Sequence, residues 1–159
     1  MSDDPVTSTY FRARRLGLGD RELARRLFTM MAEVFDEPFR PLEDGYLDRL
    51  LARPDFWALA ACDGEEPVGG VTAHAMPMTR QASTELFVYD IAVRDDRQRQ
   101  GIGRLLLTRL RESAAQAGIT EIFVAADADD THALDFYRAL GSDEAPVVMF
   151  TLARDGRDA

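Results

Sequence analysis

The sequence predicts a mixed α/β (α+β) domain: a central sheet with antiparallel and parallel parts, flanked by helices. Three observations carry this expectation. Apolar residues recur at helical spacing from Leu23 to Phe35 and again from Leu106 to Ala114. Three apolar runs follow one another between Asp55 and Val93, the first two joined by an acidic turn at Gly64. Beyond Val93 the pattern changes to helix, strand, helix, strand.

Taken in order, "STYFRARRL" alternates loosely and reads as a first strand. Asp20 is placed to cap the next segment, where Leu23, Leu27, Met30, Met31, Val34 and Phe35 give a helix one buried face. Two prolines and a glycine make "DEPFRPLEDG" a loop, and "YLDRLLARP" is a short second helix stopped near Pro54. "DFWALAACDG" and "EPVGGVTAHAMPM" read as a hairpin, and "TELFVYDIAV" as a third strand ending at Val93. A glycine turn opens a helix carrying Leu106, Leu110 and Ala114, which ends near Gly118. "TEIFVAAD" is a strand, "THALDFYRALG" a helix closed by Gly141, and "PVVMFTLA" a last strand. With no repeat, low-complexity tract or linker, residues 1–159 are expected to form one domain, with 152–159 as a frayed tail.

Composition narrows the function. A chain of 159 residues with 46% hydrophobic and 30% charged residues is long enough for a core without disulfide or metal. No apolar run reaches the length of a membrane span, and "MSDDPVTSTY" lacks the basic and apolar regions of a leader. A cytoplasmic location with no membrane partner is therefore expected. Cys62 is the single cysteine and sits in an apolar strand, where it reads as a small hydrophobe. His74 and His132 form no ligand-spaced pair, so no metal is expected. A net charge of −9 repels nucleic acid and anionic surfaces and attracts cations.

The glycine turn carries the most information. In "RDDRQRQGIGRLLLTRL", Gly101 and Gly103 sit between a strand and a long helix, where backbone N–H groups lack partners and the helix dipole is positive. Without side chains at these positions the backbone can approach a phosphate, and Arg97, Arg99 and Arg104 add positive charge. The turn lacks the Lys-Ser/Thr ending of a P-loop and the glycine spacing of a dinucleotide fingerprint.

"DIAVRDDRQRQGIGRLLLTRL" resembles the acetyl-CoA-binding motif of the GNAT superfamily of N-acetyltransferases. Its elements are Ile91, Ala92 and Val93, then Gln98, Arg99, Gln100, Gly101, Ile102 and Gly103. "DTHALDFYRALG" is similar to a second family helix, with Ala133, Phe136, Tyr137 and Gly141 aligned. It departs at Asp130, where Asn is usual, and at Ser142, where Phe often follows the glycine. From about Gly45 onward, "DGYLDRLLARPDFWALAACDGEEPVGGVTAHAMP", "ELFVYDIAV" and "FVAADADD" resemble the aminoglycoside 3-N-acetyltransferase branch.

The resemblance implies a mostly antiparallel sheet and acetyl-CoA as co-substrate, its pyrophosphate on the amides from Gln100 to Arg104 and its pantetheine on the strand ending at Val93. It implies Asp90 as the base and Tyr137 as the acid that protonates the departing thiolate. An acid inside an apolar strand is costly unless paired or exposed in a cleft, and a phenol is a competent proton donor. Asp127, Asp129 and Asp130 form the densest acidic stretch and suit a small cationic amine, although Asp130 can equally cap a helix. Asp36, Glu37, Glu43 and Asp44 lie in the loop that covers the acceptor side in the family. An acceptor that is another polyamine or a protein amine, or a non-catalytic coenzyme-binding sensor, stays open. A homodimer is implied by resemblance alone.

Overall fold

A computed structural model of the chain describes residues 11–153. The chain divides into two compact units, residues 1–125 and 126–159, and each is taken by itself.

The first unit is built on a five-stranded sheet in the order β1-β2-β3-β4-β5. Its strands are β1 (Phe11–Arg15), β2 (Phe56–Asp63), β3 (Glu66–Pro77), β4 (Thr84–Val93) and β5 (Glu121–Val124). Pairing is antiparallel from β1 through β4, while β4 and β5 run parallel. The expected mixed, mostly antiparallel sheet is therefore observed. Residues 8–10 of the proposed first strand lie outside the described residues. Helices α1 (Arg21–Val34) and α2 (Asp44–Leu51) lie between β1 and β2, and α3 (Ile102–Gln116) between β4 and β5.

Two glycines in β3 allow the helices to press close to the sheet. A Cβ on Gly70 would lie 2.6 Å from Leu27 Cδ1 of α1, and one on Gly69 would lie 2.7 Å from Ile102 Cγ2 of α3. Because neighbouring residues of a strand face opposite ways, α1 and α3 occupy opposite faces of the sheet. On the first face, Ala58, Ala60 and Ala92 join Leu27, Met30, Met31, Leu47 and Leu51 in one core. Asp20 does stand at the α1 N-cap, but its carboxylate accepts from Gly17 N–H (2.8 Å) and from Arg14 instead of the helix. A cap is worth about 1 kcal/mol. Each large apolar side chain that α1 buries is worth about 1.5–3 kcal/mol, so packing holds the helix without it.

In the second unit, α4 (Thr131–Ala139) begins at Asp130, whose Oδ1 accepts from Ala133 N–H at 3.0 Å. Gly141 follows at φ +76°, the left-handed conformation expected where a helix stops. The expected last strand, "PVVMFTLA", is not formed. A strand exists through its partner's hydrogen bonds, and this segment joins none of the described ladders. Residues 152 and 153 carry no regular structure, and the rest of the predicted tail lies outside the described residues.

Candidate active site

The centre of the site is a bulge in β4. Thr72 of β3 pairs with Asp90, but the next residue, Ala73, pairs with Val88. Tyr89 is therefore the extra residue. A bulge bends the strand and re-aims its side chains. Val88 is buried on the α3 face with Ala73, whereas Asp90 lies in the line Ala58–Thr72–Asp90 on the α1 face. In a regular strand Val88 and Asp90, two residues apart, would share a face. The bulge thus turns an acid that would have entered the core toward the side where α1 and α2 lie.

Asp90 is half-buried, and among the described residues no donor hydrogen-bonds to its carboxylate. Burial, followed by the negative charge of Glu37, pushes its pKa up. Glu37 is held by the end of α1. Asp36 adopts a left-handed φ of +52°, while Asp36 N–H donates to Glu33 O and Glu37 N–H to Ala32 O. This paired closure is a Schellman motif, with Asp in place of the usual glycine. The other acids of the loop have different surroundings. Asp44 is engaged by Arg21 (2.9 Å) and Arg25, so its charge is largely answered, and Glu43 N-caps α2 through its carbonyl.

β4 also has an open edge. Its ladder to β5 stops at the Val88–Val124 pair, although β4 runs on to Val93. Arg94 N–H donates to Val68 O of β3 at 2.8 Å, so by alternation the polar groups of Ile91 and Val93 point away from β3. Among the described residues no strand pairs with β4 there. Gln98 Nε2 donates to Val93 O (3.3 Å) and to Asp95 Oδ1 (3.2 Å), tying the glycine turn to the strand. The N–H of Val93 remains on the open side.

The turn after Val93 passes through a short 3-10 helix, Asp95–Arg97, into α3. Arg99 (φ +62°) and Gly101 (φ +79°) are both left-handed. Gly101 followed by helical Ile102 forms a left-to-right-handed step that curls amides into a concave anion site. The first helical bond is Leu105 N–H to Gly101 O, and no side chain caps the helix, so its first-turn N–H groups are available. This fits the pyrophosphate of acetyl-CoA. Arg97 does not supply free charge as expected, because it is drawn to Asp63 Oδ2 at 2.8 Å. Arg99 and Arg104 make no ion pair with a described residue.

An aromatic row crosses the same face of the sheet. Phe56 lies 5.5 Å from His74, His74 5.7 Å from Tyr89, Tyr89 6.2 Å from Phe87, and Phe87 stacks on Phe123 at 5.0 Å. Tyr89, thrown outward by the bulge, is 64% exposed beside Asp90. Sequence reading missed this row, since its members come from four strands. Cys62 is half-buried with its thiol pKa raised chiefly by burial, as suits a packing residue.

In the second unit, Asp127, Asp129 and Asp130 are exposed in the turn before α4. Asp127 O accepts from Asp130 N–H and Asp129 O from Thr131 N–H, so the acidic residues also build the turn. Tyr137 is half-buried, its ring 5.3 Å from that of Phe136. Burial and then the charge of Asp130 push its pKa up, so the phenol keeps its proton at neutral pH.

The fourth strand of the sheet thus parts from the fifth and runs into a helix that opens within Gly101-Ile102-Gly103 with no side-chain cap. Residues 21–141 match the model of the Acetyltransferase (GNAT) family, and the chain belongs to that family. Its members use acetyl-CoA. Among solved structures, the aminoglycoside acetyltransferase meta-AAC0020 from an uncultured soil metagenomic sample superposes with a TM-score of 0.86 at 29% identity. That superposition covers 92% of this chain and 99% of the other. A second structure of meta-AAC0020 holds sisomicin. Another soil metagenomic aminoglycoside acetyltransferase, HMB0005, gives 0.85 at 31% identity over 91% of this chain and 99% of its own. Among curated proteins, the ribosomal protein bS18-alanine N-acetyltransferase of Escherichia coli K12 is 33% identical over 85 residues, 53% of this chain and 57% of that protein. The chain thus spans little more than half the length of the curated relatives it matches.

Proposed function

We propose that this GNAT acetyltransferase moves the acetyl group of acetyl-CoA to an amine of an aminoglycoside, the 3-amino group, and that residues 1–159 act as one catalytic domain. The observation that carries the reading is the placement of Asp90. The bulge sets it on the α1 face of the sheet, with a raised pKa and, among the described residues, no hydrogen-bond donor, one residue from the open β4 edge, which supports its facing the acceptor. The near full-length similarity to aminoglycoside acetyltransferases supports the acceptor class, and the family match across 21–141 supports the single domain.

Acetyl-CoA supplies an activated thioester. Amides of Gln100, Gly101, Ile102, Gly103 and Arg104 bind its pyrophosphate, and the backbone of Ile91, Ala92 and Val93 lines its pantetheine arm as an added strand would. Val93 N–H donates to the thioester oxygen as negative charge gathers there. An ammonium has no lone pair, so Asp90 takes a proton from the incoming amine, and its raised pKa brings its basicity closer to that task. Glu37 adds negative charge on the acceptor side. Tyr137 gives its proton to the leaving thiolate. Asp127, Asp129 and Asp130 attract the other ammonium groups of the acceptor. Holding both substrates together supplies much of the acceleration, and the amine attacks directly with no acetylated enzyme group.

A second reading, transfer to a protein α-amine, is favoured by the match to ribosomal-protein-alanine acetyltransferases. One experiment separates them: acetyl-CoA with a panel of aminoglycosides, polyamines and alanine-terminated peptides, reading CoA release and product mass. Acetylated aminoglycoside carrying the group on the 3-nitrogen is expected. Turnover restricted to peptides would replace the first reading with the second.

A further inference from the structure

The aromatic row follows one register line of the sheet. Phe56 pairs with His74, His74 with Phe87, and Phe87 with Phe123, so their side chains share the α1 face. The adjacent line is Ala58–Thr72–Asp90, and the bulged Tyr89 stands between the two. Phe28 of α1 closes one end of the row, its ring 6.4 Å from that of Phe56, which is buried. The other end is open, with Phe87 half-buried, Tyr89 exposed and Phe123 41% exposed. Tyr89 meets His74 at 80° and Phe87 at 87°, two edge-to-face contacts that fix the plane of its ring beside Asp90. Contiguous aromatic surface left open next to a half-buried carboxylate has the make-up of a binding surface, not of a core.

Charge on the same face points to the occupant. Glu85 and Glu121 are cross-strand partners, two residues before Phe87 and Phe123, and so lie on the α1 face as well. Like charges set opposite each other destabilise a sheet, and among the described residues no ion pair answers either one. The face therefore carries Asp90 at one end, a carboxylate pair at the other, and aromatic rings between them. A saturated ring bearing amines matches this order. Its C–H groups, made positive by neighbouring nitrogen and oxygen, rest on the negative face of an aromatic ring, and its ammonium groups gain from both rings and carboxylates. A peptide terminus brings one ammonium and leaves the far pair unanswered. A linear polyamine pays more conformational entropy to lie along the row.

We propose that Tyr89, Phe87 and Phe123 form the surface that selects the acceptor. Linked saturated rings lie along the row, with the reacting amine at Asp90 and a distal ammonium at Glu85 and Glu121. This inference rests on the aminoglycoside reading above and adds the side chains that choose among amines.

The test measures initial rates of the full chain with acetyl-CoA and sisomicin. Tyr89→Leu should raise KM for sisomicin about tenfold, with kcat and KM for acetyl-CoA close to the parent values. Tyr89→Phe, which keeps the ring, should recover most of that loss, and Phe123→Leu should raise the same KM by a smaller factor. Leu18→Ala, which trims an exposed apolar side chain elsewhere, should change neither KM. A direct reading uses CoA in place of acetyl-CoA, so that no transfer occurs, and a deuterated chain protonated only at tyrosine. Nuclear Overhauser contacts from a tyrosine ring to the C–H protons of sisomicin are expected, and they should vanish in Tyr89→Phe. This arm decides the matter if Tyr89→Leu disturbs the fold. Sisomicin turnover with KM unmoved in Tyr89→Leu, or contacts that are absent or survive in Tyr89→Phe, would overturn this proposal alone. Turnover restricted to peptides would overturn it together with the aminoglycoside reading.

Discussion

Replacing Gly69 by alanine tests whether the seat of α3 governs donor binding. A Cβ there would lie 2.7 Å from Ile102 Cγ2, 3.2 Å from Leu106 Cδ1 and 3.3 Å from the carbonyl oxygen of Ala92, which is backbone and cannot turn away. Ordinary contact begins at 3.4 Å, so the start of α3 must retreat by about 0.7 Å. Overpacking of this kind costs about 1–3 kcal/mol, within the margin of a typical domain, so the fold should survive. The first-turn amides move with Ile102. Loss of one charge-assisted hydrogen bond, about 1.5–3 kcal/mol, would weaken acetyl-CoA binding by about tenfold or more. Calorimetric titration with acetyl-CoA and urea unfolding measure the two effects. Gly70→Ala is the control, because its Cβ would meet Leu27 Cδ1 at 2.6 Å on the opposite face. It should lose comparable stability while keeping donor affinity. Adding Ile102→Ala to Gly69→Ala removes the clashing methyl, and the double-mutant cycle should show a coupling of about 0.5–3 kcal/mol. Unchanged donor affinity in Gly69→Ala, or equal losses in the two alanine variants, would refute the reasoning.

Asp90→Asn should abolish most turnover while acetyl-CoA still binds, and normal turnover would remove Asp90 as base. Because the folded-state pKa of Asp90 is raised, its contribution favours folding at low pH and is lost as pH rises through the raised value. Asp90→Asn should therefore be more resistant to urea than the parent at neutral pH, with the gain fading in acid. Glu37→Gln removes a like charge and should move the acidic limb of the rate profile to lower pH. An unmoved limb would separate Glu37 from the base. Tyr137→Phe should slow CoA release less severely than Asp90→Asn, and an unaltered rate would leave Tyr137 a packing residue. Asp130→Ala should lower stability by about 1 kcal/mol through loss of the α4 cap, measured by urea unfolding.

Much of the fold was legible because periodicity reports burial directly. Leu27, Met30 and Met31 can share one buried face only on a helix, and the hairpin at Gly64 followed from its turn chemistry. The orientation of Asp90 was not legible. Strict alternation puts Leu86, Val88, Asp90 and Ala92 on one face, and only the bulge at Tyr89, which carries no glycine signal, separates Val88 from Asp90. Nor could spacing distinguish Glu37 from Asp44, because the distinction lies in a helix-ending motif and in the arginines of α1. Arg97 looked like a phosphate ligand until its partner on β2, Asp63, was in view. "PVVMFTLA" has the composition of a strand, but composition cannot supply the neighbour that a strand requires.

The stretch of β4 after the bulge addresses its surroundings along two perpendicular directions. Within the plane of the sheet it offers main-chain groups at Ile91 and Val93; across that plane it offers the side chains of Tyr89 and Asp90. What is recognised by main chain is almost indifferent to side-chain substitution. If the donor is gripped in the plane and the acceptor across it, replacements on the acceptor face can change which amine is taken without loosening the acetyl carrier. Such a strand can trade one acceptor for another by point substitution, which is a physical reason for one scaffold to occur in aminoglycoside acetyltransferases and in ribosomal-protein-alanine N-acetyltransferases.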